Sequence, residues 1–309
     1  MKVIFMGTPE FAVPSLEMLL DKHEVMLVVT QPDKPKGRGK KMVAPVVKEK
    51  ALEKGIEVVQ PDKIKAPEFV SRLMEYQPDV IVVVAFGRIL PQEILDIPKY
   101  GCINVHGSLL PKYRGAGPIQ WSIINGEEKT GVTTMYMAKG LDSGDMILQK
   151  EMEIDENDTY GSLSRRMSYI GADLLDCTLE KLLDGTAPRI EQRHTEATVA
   201  PMITKEMERI DWSKPAADIR NLIRGLNPQP GAYTLYQDDM LKIWNAALTD
   251  KKYPGYQPGA IVEICKNGFI VNTGSDGLLV SEVQAKGGKK MGADAYLRGH
   301  AIKQGTILC

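Results

Sequence analysis

The run Val80-Ile81-Val82-Val83-Val84-Ala85 carries five β-branched residues and no polar side chain. β-branched residues favour strands, and an uninterrupted apolar run is typical of a strand that is buried on both faces. Sheets covered on both faces are mostly parallel sheets, whose crossover helices pack against each side. The run therefore predicts a strand that is buried on both faces, as in a parallel sheet.

Strand-like and helix-like segments alternate on either side of this run, which predicts a doubly wound, mostly parallel α/β sheet of the Rossmann-like kind. The predicted strands are Lys2–Met6, Val25–Thr30, Ile56–Val59 and Cys102–His106, and the predicted helices are Pro14–Asp21, Val46–Lys54 and Pro67–Tyr76. Residues 131–153 are expected to add two antiparallel strands. A long helix from about Ser162 to Leu183 follows, with Asp158 or Thr159 as its cap.

The second part of the chain has a different pattern. The hydrophobic period is lost from Ala187 to about Glu208, which indicates a linker that crosses the surface. Beyond it, short strand-like runs separated by turns predict a small, OB-like β-barrel. These runs are Thr234–Tyr236, Leu241–Asn245, Ala260–Cys265, Phe269–Asn272 and Leu278–Val283. We expect domain boundaries at 1–188, 189–206 for the linker, and 207–309.

Composition limits the classes of protein that the chain can represent. The formal net charge over 309 residues is −1, so any contact with nucleic acid must come from local patches. The four cysteines are scattered, with neither a disulfide pattern nor the ligand spacing of a metal site. No apolar run approaches the ~20 residues of a membrane span. The first residues are typical of a strand and not of a signal peptide. We expect a cytoplasmic, reduced protein without a metal.

Two further runs carry side chains that suggest chemistry: Asn104-Val105-His106-Gly107-Ser108-Leu109-Leu110-Pro111 and Gly140-Leu141-Asp142-Ser143-Gly144-Asp145. An amide, an imidazole and a carboxylate can together stabilise a developing oxyanion and move a proton. That combination suits the transfer of an acyl group to an amine. Asn104 and His106 end a predicted parallel strand, which is where ligands bind in such sheets.

These two runs resemble the core signature of the folate-dependent formyltransferases. The resemblance implies that Asn104, His106 and Asp142 are catalytic and that the formyl donor is 10-formyltetrahydrofolate. It also implies two runs that contact the folate. The first consists of Ser108, Leu109, Leu110 and Pro111, and the second of Phe86, Gly87, Arg88, Ile89 and Leu90.

The segment Gln31–Lys41 carries five basic residues and one acid in a loop rich in proline and glycine. Basic side chains on an adaptable loop are suited to neutralise phosphates. The segment resembles the loop that contacts the acceptor arm in those family members that formylate methionyl initiator tRNA for translation initiation. The basic residues are Lys34, Lys36, Arg38, Lys40 and Lys41. Runs at 200–206, 210–212, 227–232 and 287–291 extend this resemblance over nearly the full chain, and it suggests a monomer.

Three other functions remain to be weighed. A formyltransferase for a small amine, such as glycinamide ribonucleotide or an amino sugar, would share Asn104, His106 and Asp142 but would need neither the basic loop nor the C-terminal barrel. A non-catalytic RNA-binding module would be expected to have lost the three catalytic residues. A dinucleotide oxidoreductase is disfavoured because the loop Gly7–Ala12 lacks the G-x-G-x-x-G fingerprint.

Overall fold

The structure, a computed structural model, describes residues 1–36, 41–300 and 302–309, without the side chain of residue 36. The chain divides into two compact units. The N-terminal unit comprises Met1–Pro118, Lys129–Glu153 and Ser164–Pro201. The C-terminal unit comprises Ile119–Glu128, Ile154–Leu163 and Met202–Cys309. None of the helices in the described part of the chain has the length and apolar character that a membrane span requires.

The N-terminal unit is built on a seven-stranded sheet with helices along the chain between its strands. Its strands are β1 (Lys2–Gly7), β2 (Glu24–Val29), β5 (Val58–Val59), β6 (Val80–Val84), β7 (Cys102–His106), β8 (Lys129–Tyr136) and β9 (Met146–Glu153). Their order is β5-β2-β1-β6-β7-β8-β9. The first five in this order pair in parallel, and β8 and β9 are added antiparallel. The predicted Rossmann-like sheet is confirmed.

Among the described residues, six α-helices follow these strands along the chain; the first three and the last begin and end within two residues of the predicted positions, whereas the fourth and fifth were not predicted. They are α1 (Val13–Lys22), α2 (Val46–Glu53), α3 (Pro67–Glu75), α4 (Gln92–Leu95), α5 (Pro118–Ile124) and α6 (Tyr160–Leu183). Thr159 caps α6 as predicted. Its Oγ1 accepts from the Ser162 N–H at 3.2 Å, and the Ser162 Oγ accepts from the Thr159 N–H at 2.9 Å. Such reciprocal bonds satisfy amide groups that a helix start leaves without a partner.

The central strands place their carboxyl ends side by side. All five residues of β6 are buried, in keeping with a strand covered on both faces. In the parallel register, Gly7 of β1 lies opposite Val84 of β6, and Val84 lies opposite Val105 of β7. The loops that leave these three strands therefore start from the same edge of the sheet.

A hairpin follows β2, and its base is fixed by a polar cluster. Strands β3 (Lys34–Lys36) and β4 (Lys41–Val43) pair antiparallel. Below them, the Gln60 Nε2 donates to an oxygen of Asp33 at 2.8 Å, and the Lys48 Nζ donates to both Asp33 oxygens at 2.9 Å. The Gln60 and Lys48 contacts hold the pKa of the Asp33 carboxyl below its ordinary value of 3.8.

The C-terminal unit contains a six-stranded antiparallel sheet. Its strands are β10 (Tyr233–Tyr236), β11 (Asp239–Leu248), β12 (Ile261–Cys265), β13 (Gly268–Asn272), β14 (Gly277–Ala285) and β15 (Met291–Gly292), and its helices α7 (Ala216–Gly225) and α8 (Ala293–Gly299). The order is β10-β11-β14-β13-β12, with β15 paired to β14. Each of the five predicted strands coincides with an observed one.

The C-terminal tail, residues 305–309, hydrogen-bonds to both ends of this strand path. On the β12 side, the Ile261 N–H donates to the Thr306 carbonyl at 2.8 Å. On the β10 side, the Leu235 N–H donates to the Cys309 carbonyl at 2.7 Å, and the Cys309 N–H returns a bond to Leu235. The tail thus covers the free edges of an otherwise open sheet, and an OB-like barrel stays a prediction.

Replacing Leu308 by alanine is expected to destabilise the C-terminal unit. Leu308 is 2% exposed and belongs to the apolar core of that unit. Its truncation should cost about 2–5 kcal/mol, as for other buried leucines. All three tryptophans lie in this unit, so their fluorescence during urea unfolding reports the change. The neighbouring Ile307 is 37% exposed, and Ile307→Ala is the matched control. Equal losses in both variants would contradict a core role for Leu308.

The Asp33 carboxyl predicts a pH-dependent contribution to stability. Because its pKa is lowered in the folded protein, the contribution is present above the unfolded value of 3.8 and is lost as pH falls through the folded value. Asp33→Asn should therefore lower the urea midpoint at neutral pH and have little effect near about pH 2. Lys48→Met should remove part of the same difference. A difference that is constant across this pH range would rule the interpretation out.

Candidate active site

Asn104 and His106 lie in the carboxyl-terminal half of β7, toward the edge where β1, β6 and β7 end. Residues i and i+2 of a strand project to the same face, so the two side chains emerge together. Both are buried, with exposed fractions of 8% and 6%. Across the antiparallel pairing, His106 lies opposite Thr133 of β8. The site begins from a rigid, fully paired part of the sheet.

The hydrogen bond of the imidazole fixes its protonation pattern. The His106 Nε2 lies 2.9 Å from the backbone carbonyl oxygen of Tyr113. A carbonyl oxygen can only accept, so Nε2 carries a hydrogen in the neutral ring as well as in the cation. Nδ1 is consequently the nitrogen without a hydrogen in the neutral ring. It lies 3.7 Å from the Asp142 Oδ2, which makes an ion pair when the ring is protonated.

The Asp142 carboxylate is held in this position by the backbone of another loop. Its Oδ2 accepts from the Gly115 N–H at 2.8 Å. Asp142 itself has a φ of 44°, a left-handed conformation that residues other than glycine seldom adopt. Gly115 has a φ of 122°, and a Cβ at this position would lie 2.6 Å from the Ala200 carbonyl oxygen. The contact therefore depends on a glycine in that loop.

The run Ser108–Pro111 begins two residues after His106 and is fixed by polar contacts to β8 and β9. The Thr133 Oγ1 donates to the Ser108 carbonyl at 2.7 Å and accepts from the Leu110 N–H at 3.1 Å. The Gln149 Nε2 donates to the Leu110 carbonyl at 2.8 Å. Ser108 and Leu110 are buried, and Leu109 and Pro111 are partly exposed. The run thus presents a preset backbone to any ligand on its open side.

The run Phe86–Leu90 leaves the neighbouring strand β6 at the same edge. Phe86 and Leu90 are buried, whereas Gly87 is exposed and Ile89 is 68% exposed. The Arg88 Nη1 donates to the carbonyls of Pro61 and Asp62 at 3.1 and 2.8 Å. The guanidinium therefore ties this run to the loop after β5, and the exposed Ile89 offers an apolar surface.

The structure describes part of the basic segment. Lys34 and Lys41 are exposed on the paired strands β3 and β4, and Lys36 lies opposite Lys41 in their register. The Lys34 Nζ donates to the Gln31 Oε1 at 3.0 Å. Arg38 and Lys40, which the sequence predicts to be tRNA contacts, lie outside the described residues, as does the Lys36 side chain.

Gln31 links the basic segment to the run at Phe86. Its Nε2 donates to the Phe86 carbonyl at 2.8 Å, and its backbone N–H donates to the Thr8 Oγ1 at 3.3 Å. A Cβ on Gly87 would lie 2.6 Å from the same Nε2. Gln31, in the loop after β2, therefore bonds to the loop after β1 through its backbone and to the loop after β6 through its side chain.

Sequence reasoning missed several of these contacts. The Tyr113 carbonyl, the Gly115 N–H and the Thr133 hydroxyl were not predicted as parts of the site. One signal was available, because Tyr113-Arg114-Gly115-Ala116-Gly117 is a glycine-rich stretch shortly after His106. Within the described residues, His, Cys, Asp and Glu side chains form no group of three that could hold a metal ion.

Solved structures share the fold at low sequence identity. An N-formyltransferase from Helicobacter canadensis in complex with folinic acid and dTDP-3-aminofucose has a TM-score of 0.67 and 21% identity, covering 93% of this chain and 100% of that one. HypX from Aquifex aeolicus in complex with tetrahydrofolic acid has a TM-score of 0.63 and 18% identity. The match covers 96% of this chain and 46% of HypX, less than half of that protein's length. At these identities the likeness establishes the fold alone.

Sequence comparison is more specific. A sequence model described as formyl transferase matches residues 1–176, and one for the formyl transferase C-terminal domain matches residues 202–301. The methionyl-tRNA formyltransferase of Acetivibrio thermocellus is 51% identical over 309 residues, covering 100% of this chain and 99% of that protein. The protein of the same name from Clostridioides difficile is 52% identical, with 100% of both chains covered. The site geometry and these matches agree: the chain belongs to the formyl transferase family.

Proposed function

We infer that the protein transfers the formyl group of 10-formyltetrahydrofolate to the amino group of methionyl initiator tRNA. The product is N-formylmethionyl-tRNA, which serves the initiation of protein biosynthesis, and we therefore place the reaction in the cytoplasm. The observation that carries this inference is the identity of about half of all residues with methionyl-tRNA formyltransferases over the full length of both chains. The geometry at His106 supplies chemistry that fits the reaction.

Asn104 is proposed to stabilise charge that develops on the formyl oxygen. When the amine attacks the formyl carbon, that carbon becomes tetrahedral and its oxygen gains negative charge. A side-chain N–H from a fixed strand end can donate to this oxygen without reorganisation. One such donor is worth on the order of 10²–10³ in rate.

His106 is proposed to move the proton that the reaction must transfer. A free α-amino group has a pKa of about 8, so much of the substrate amine is already neutral. After attack, the substrate nitrogen becomes acidic, and the His106 Nδ1 can take its proton. The same proton then goes to the folate nitrogen as its bond to the formyl carbon breaks. A base and acid of this kind contributes about 10²–10⁴ in rate.

Asp142 is proposed to form an ion pair with the His106 imidazolium that arises between these two steps. The Asp142 Oδ2 lies 3.7 Å from Nδ1, and the Gly115 N–H keeps it there. A carboxylate near an imidazolium stabilises the charged ring. The proton is thus held on Nδ1 long enough to be passed to the departing nitrogen.

The folate is proposed to lie against the two preset runs at the sheet edge. A pterin ring needs a narrow apolar slot with backbone hydrogen bonds at its edge. Ser108, Leu109, Leu110 and Pro111 on one side, and Phe86, Gly87, Arg88, Ile89 and Leu90 on the other, could provide both. The contacts from Thr133, Gln149 and Arg88 keep these runs in place, so little conformational freedom is lost on binding.

The tRNA is proposed to engage the basic segment through its phosphates. Lys34, Lys36, Arg38, Lys40 and Lys41 bring five positive charges to a chain with a formal net charge of −1. Such contacts are electrostatic and position the substrate without reading its sequence. We also propose that the chain acts as a monomer, with a catalytic domain at 1–188, a linker at 189–206 and a tRNA-binding domain at 207–309.

A formyltransferase for a small amine is the second candidate. It is favoured by one observation, since sugar N-formyltransferases share the fold over most of this chain. The catalytic residues would be the same for either acceptor. The basic segment at Gln31–Lys41 and the full-length identity with the methionyl-tRNA enzymes favour the tRNA.

A formyl-transfer assay tests the proposed function and the role of His106 together. Purified protein with 10-formyltetrahydrofolate should formylate methionyl initiator tRNA but not glycinamide ribonucleotide or an amino sugar nucleotide. His106→Ala should lower kcat by about 10²–10⁴, because proton transfer is lost. Its tRNA binding, measured by filter retention, should be unchanged. Transfer to a small amine alone would overturn the acceptor, and full activity of His106→Ala would overturn the catalytic assignment.

Arg38→Ala is expected to weaken use of the tRNA while leaving the folate unaffected. Loss of one phosphate contact should raise KM for methionyl-tRNA and reduce its salt dependence, with a slope smaller by about one in log–log terms. The KM for 10-formyltetrahydrofolate should not change. Lys54→Ala is the control, since Lys54 is an exposed lysine of the N-terminal unit outside the basic segment. An equal effect on both substrates would indicate a folding defect and contradict the assignment.

A further inference from the structure

Residues 190–200, called the 190–200 segment, hydrogen-bond to two places near Asp142. One lies beside the loop that contains Asp142, and the other is the loop that contains Gly115. Ile190 exchanges backbone hydrogen bonds with Met146 at 2.9 and 3.0 Å, next to the Asp142 loop. Farther along, the Arg114 N–H donates to the Thr198 carbonyl at 2.9 Å, and the Ala200 N–H donates to the Arg114 carbonyl at 2.7 Å. The segment that the sequence predicts to be part of a surface linker is therefore fastened to the site at both ends.

Gln192 lies in the middle of this segment and is 2% exposed. Its Nε2 donates to two backbone carbonyls of the Asp142 loop, Asp142 O at 2.9 Å and Gly144 O at 2.7 Å. Its Oε1 accepts from the Arg114 guanidinium, from Nε at 3.0 Å and from Nη2 at 2.6 Å. One buried amide thus uses both donors and its acceptor to join the loop of Asp142 to the loop of Gly115.

These bonds act on the conformation that Asp142 needs. Its φ of 44° lies in the left-handed region, which aspartate adopts only occasionally, so the surrounding contacts help to hold it. Gln192 binds the Asp142 backbone carbonyl, whereas the Gly115 N–H binds the Asp142 carboxylate. The positively charged Arg114 guanidinium, which donates to the Gln192 Oε1, polarises the Gln192 amide. This polarisation strengthens the two hydrogen bonds that its Nε2 donates.

We propose that Gln192 is a positioning residue for the reaction, one that holds the Asp142 carboxylate against the Nδ1 of His106. The proposal rests on the proposed function, since it concerns proton transfer at that site. Gln192 has no contact with the reacting groups and acts through Asp142. Without its two N–H donors, the Asp142 loop loses the hydrogen bonds that fix its backbone, and the carboxylate leaves the imidazole.

Gln192→Met tests this role, because methionine keeps the length of the side chain and removes its donors. We expect kcat for formyl transfer to fall by about tenfold to 10²-fold, as for other small displacements of catalytic groups. The KM values for 10-formyltetrahydrofolate and methionyl-tRNA should stay within about twofold, because ground-state binding is not affected. A rise of either KM with unchanged kcat would overturn the proposal.

A double-mutant cycle separates this role from a merely structural one. Single-turnover rates, with enzyme in excess, are compared for the wild type, Asp142→Asn, Gln192→Met and the double variant. If Gln192 acts through Asp142, the second change should cost less than about twofold in the Asp142→Asn background. Independent, multiplying losses would overturn the proposal. The wild-type and Asp142→Asn rates alone test the proposed function, so the two failures are distinguishable.

Two further variants complete the test. Gln192→Glu keeps an oxygen for Arg114 but places a carboxylate against the Asp142 and Gly144 carbonyls, so its kcat should fall at least as far as that of Gln192→Met. Full activity would assign the role to the Arg114 contact and overturn the proposal.

Thr178→Val is the control for lost stability, since Thr178 is fully buried and bonds to Thr134 at 2.8 Å. Its kcat should match the wild type; a loss equal to that of Gln192→Met would count against positioning.

Discussion

The hydrogen bond between the His106 Nε2 and the Tyr113 carbonyl is the contact on which the rest of the site depends. It commits Nε2 to donating, leaves Nδ1 as the proposed proton carrier, and turns that nitrogen toward Asp142. Since Tyr113 has a φ of 61°, the loop bends sharply where its carbonyl meets the ring. Two residues later, the Gly115 N–H returns to bind Asp142. One short loop therefore sets both the tautomer of the base and the position of its carboxylate.

The need to satisfy buried polar groups links the remaining loops into the same structure. The Thr133 hydroxyl on β8 donates to the backbone of the run after His106, and the Gln31 amide donates to the backbone of the run after β6. Each of these side chains bonds to main-chain atoms, which otherwise would be buried without a partner. Away from bulk water such bonds are strong and costly to leave unmade. The site is thus preorganised by side chains that do not touch the reacting groups.

The sequence predicted the scaffold well because hydrophobic period and β-branching report burial directly. The run Val80–Ala85 identified the central strand, and the short apolar runs after residue 233 identified the C-terminal sheet. Supporting side chains leave no comparable trace. A carbonyl such as that of Tyr113 can come from any residue, and Gln192 lies in a stretch with no period at all. The burial of Gln192 follows from the path of the backbone, which local pattern does not encode. His106 and Asp142, in contrast, were predicted from the two runs that resemble the signature of the folate-dependent formyltransferases.

The choice of acceptor cannot be made by the catalytic residues. An amine on methionyl-tRNA and an amine on a sugar present the same nitrogen to the same formyl carbon, so the proposed catalytic residues Asn104, His106 and Asp142 would treat them alike. Specificity is a difference in binding free energy between competing acceptors. It must come from protein groups that contact the parts in which the acceptors differ.

A tRNA differs from a sugar nucleotide in the length of its backbone and in the number of its phosphates. A segment with five basic residues in eleven can respond to that difference, whereas a buried imidazole cannot. Within this segment β3 pairs with β4, Asp33 accepts a hydrogen bond from Gln60, and Gln31 donates to the Phe86 carbonyl. The acceptor preference is therefore expected to reside in the basic segment, while the chemistry is proposed for the residues at the sheet edge.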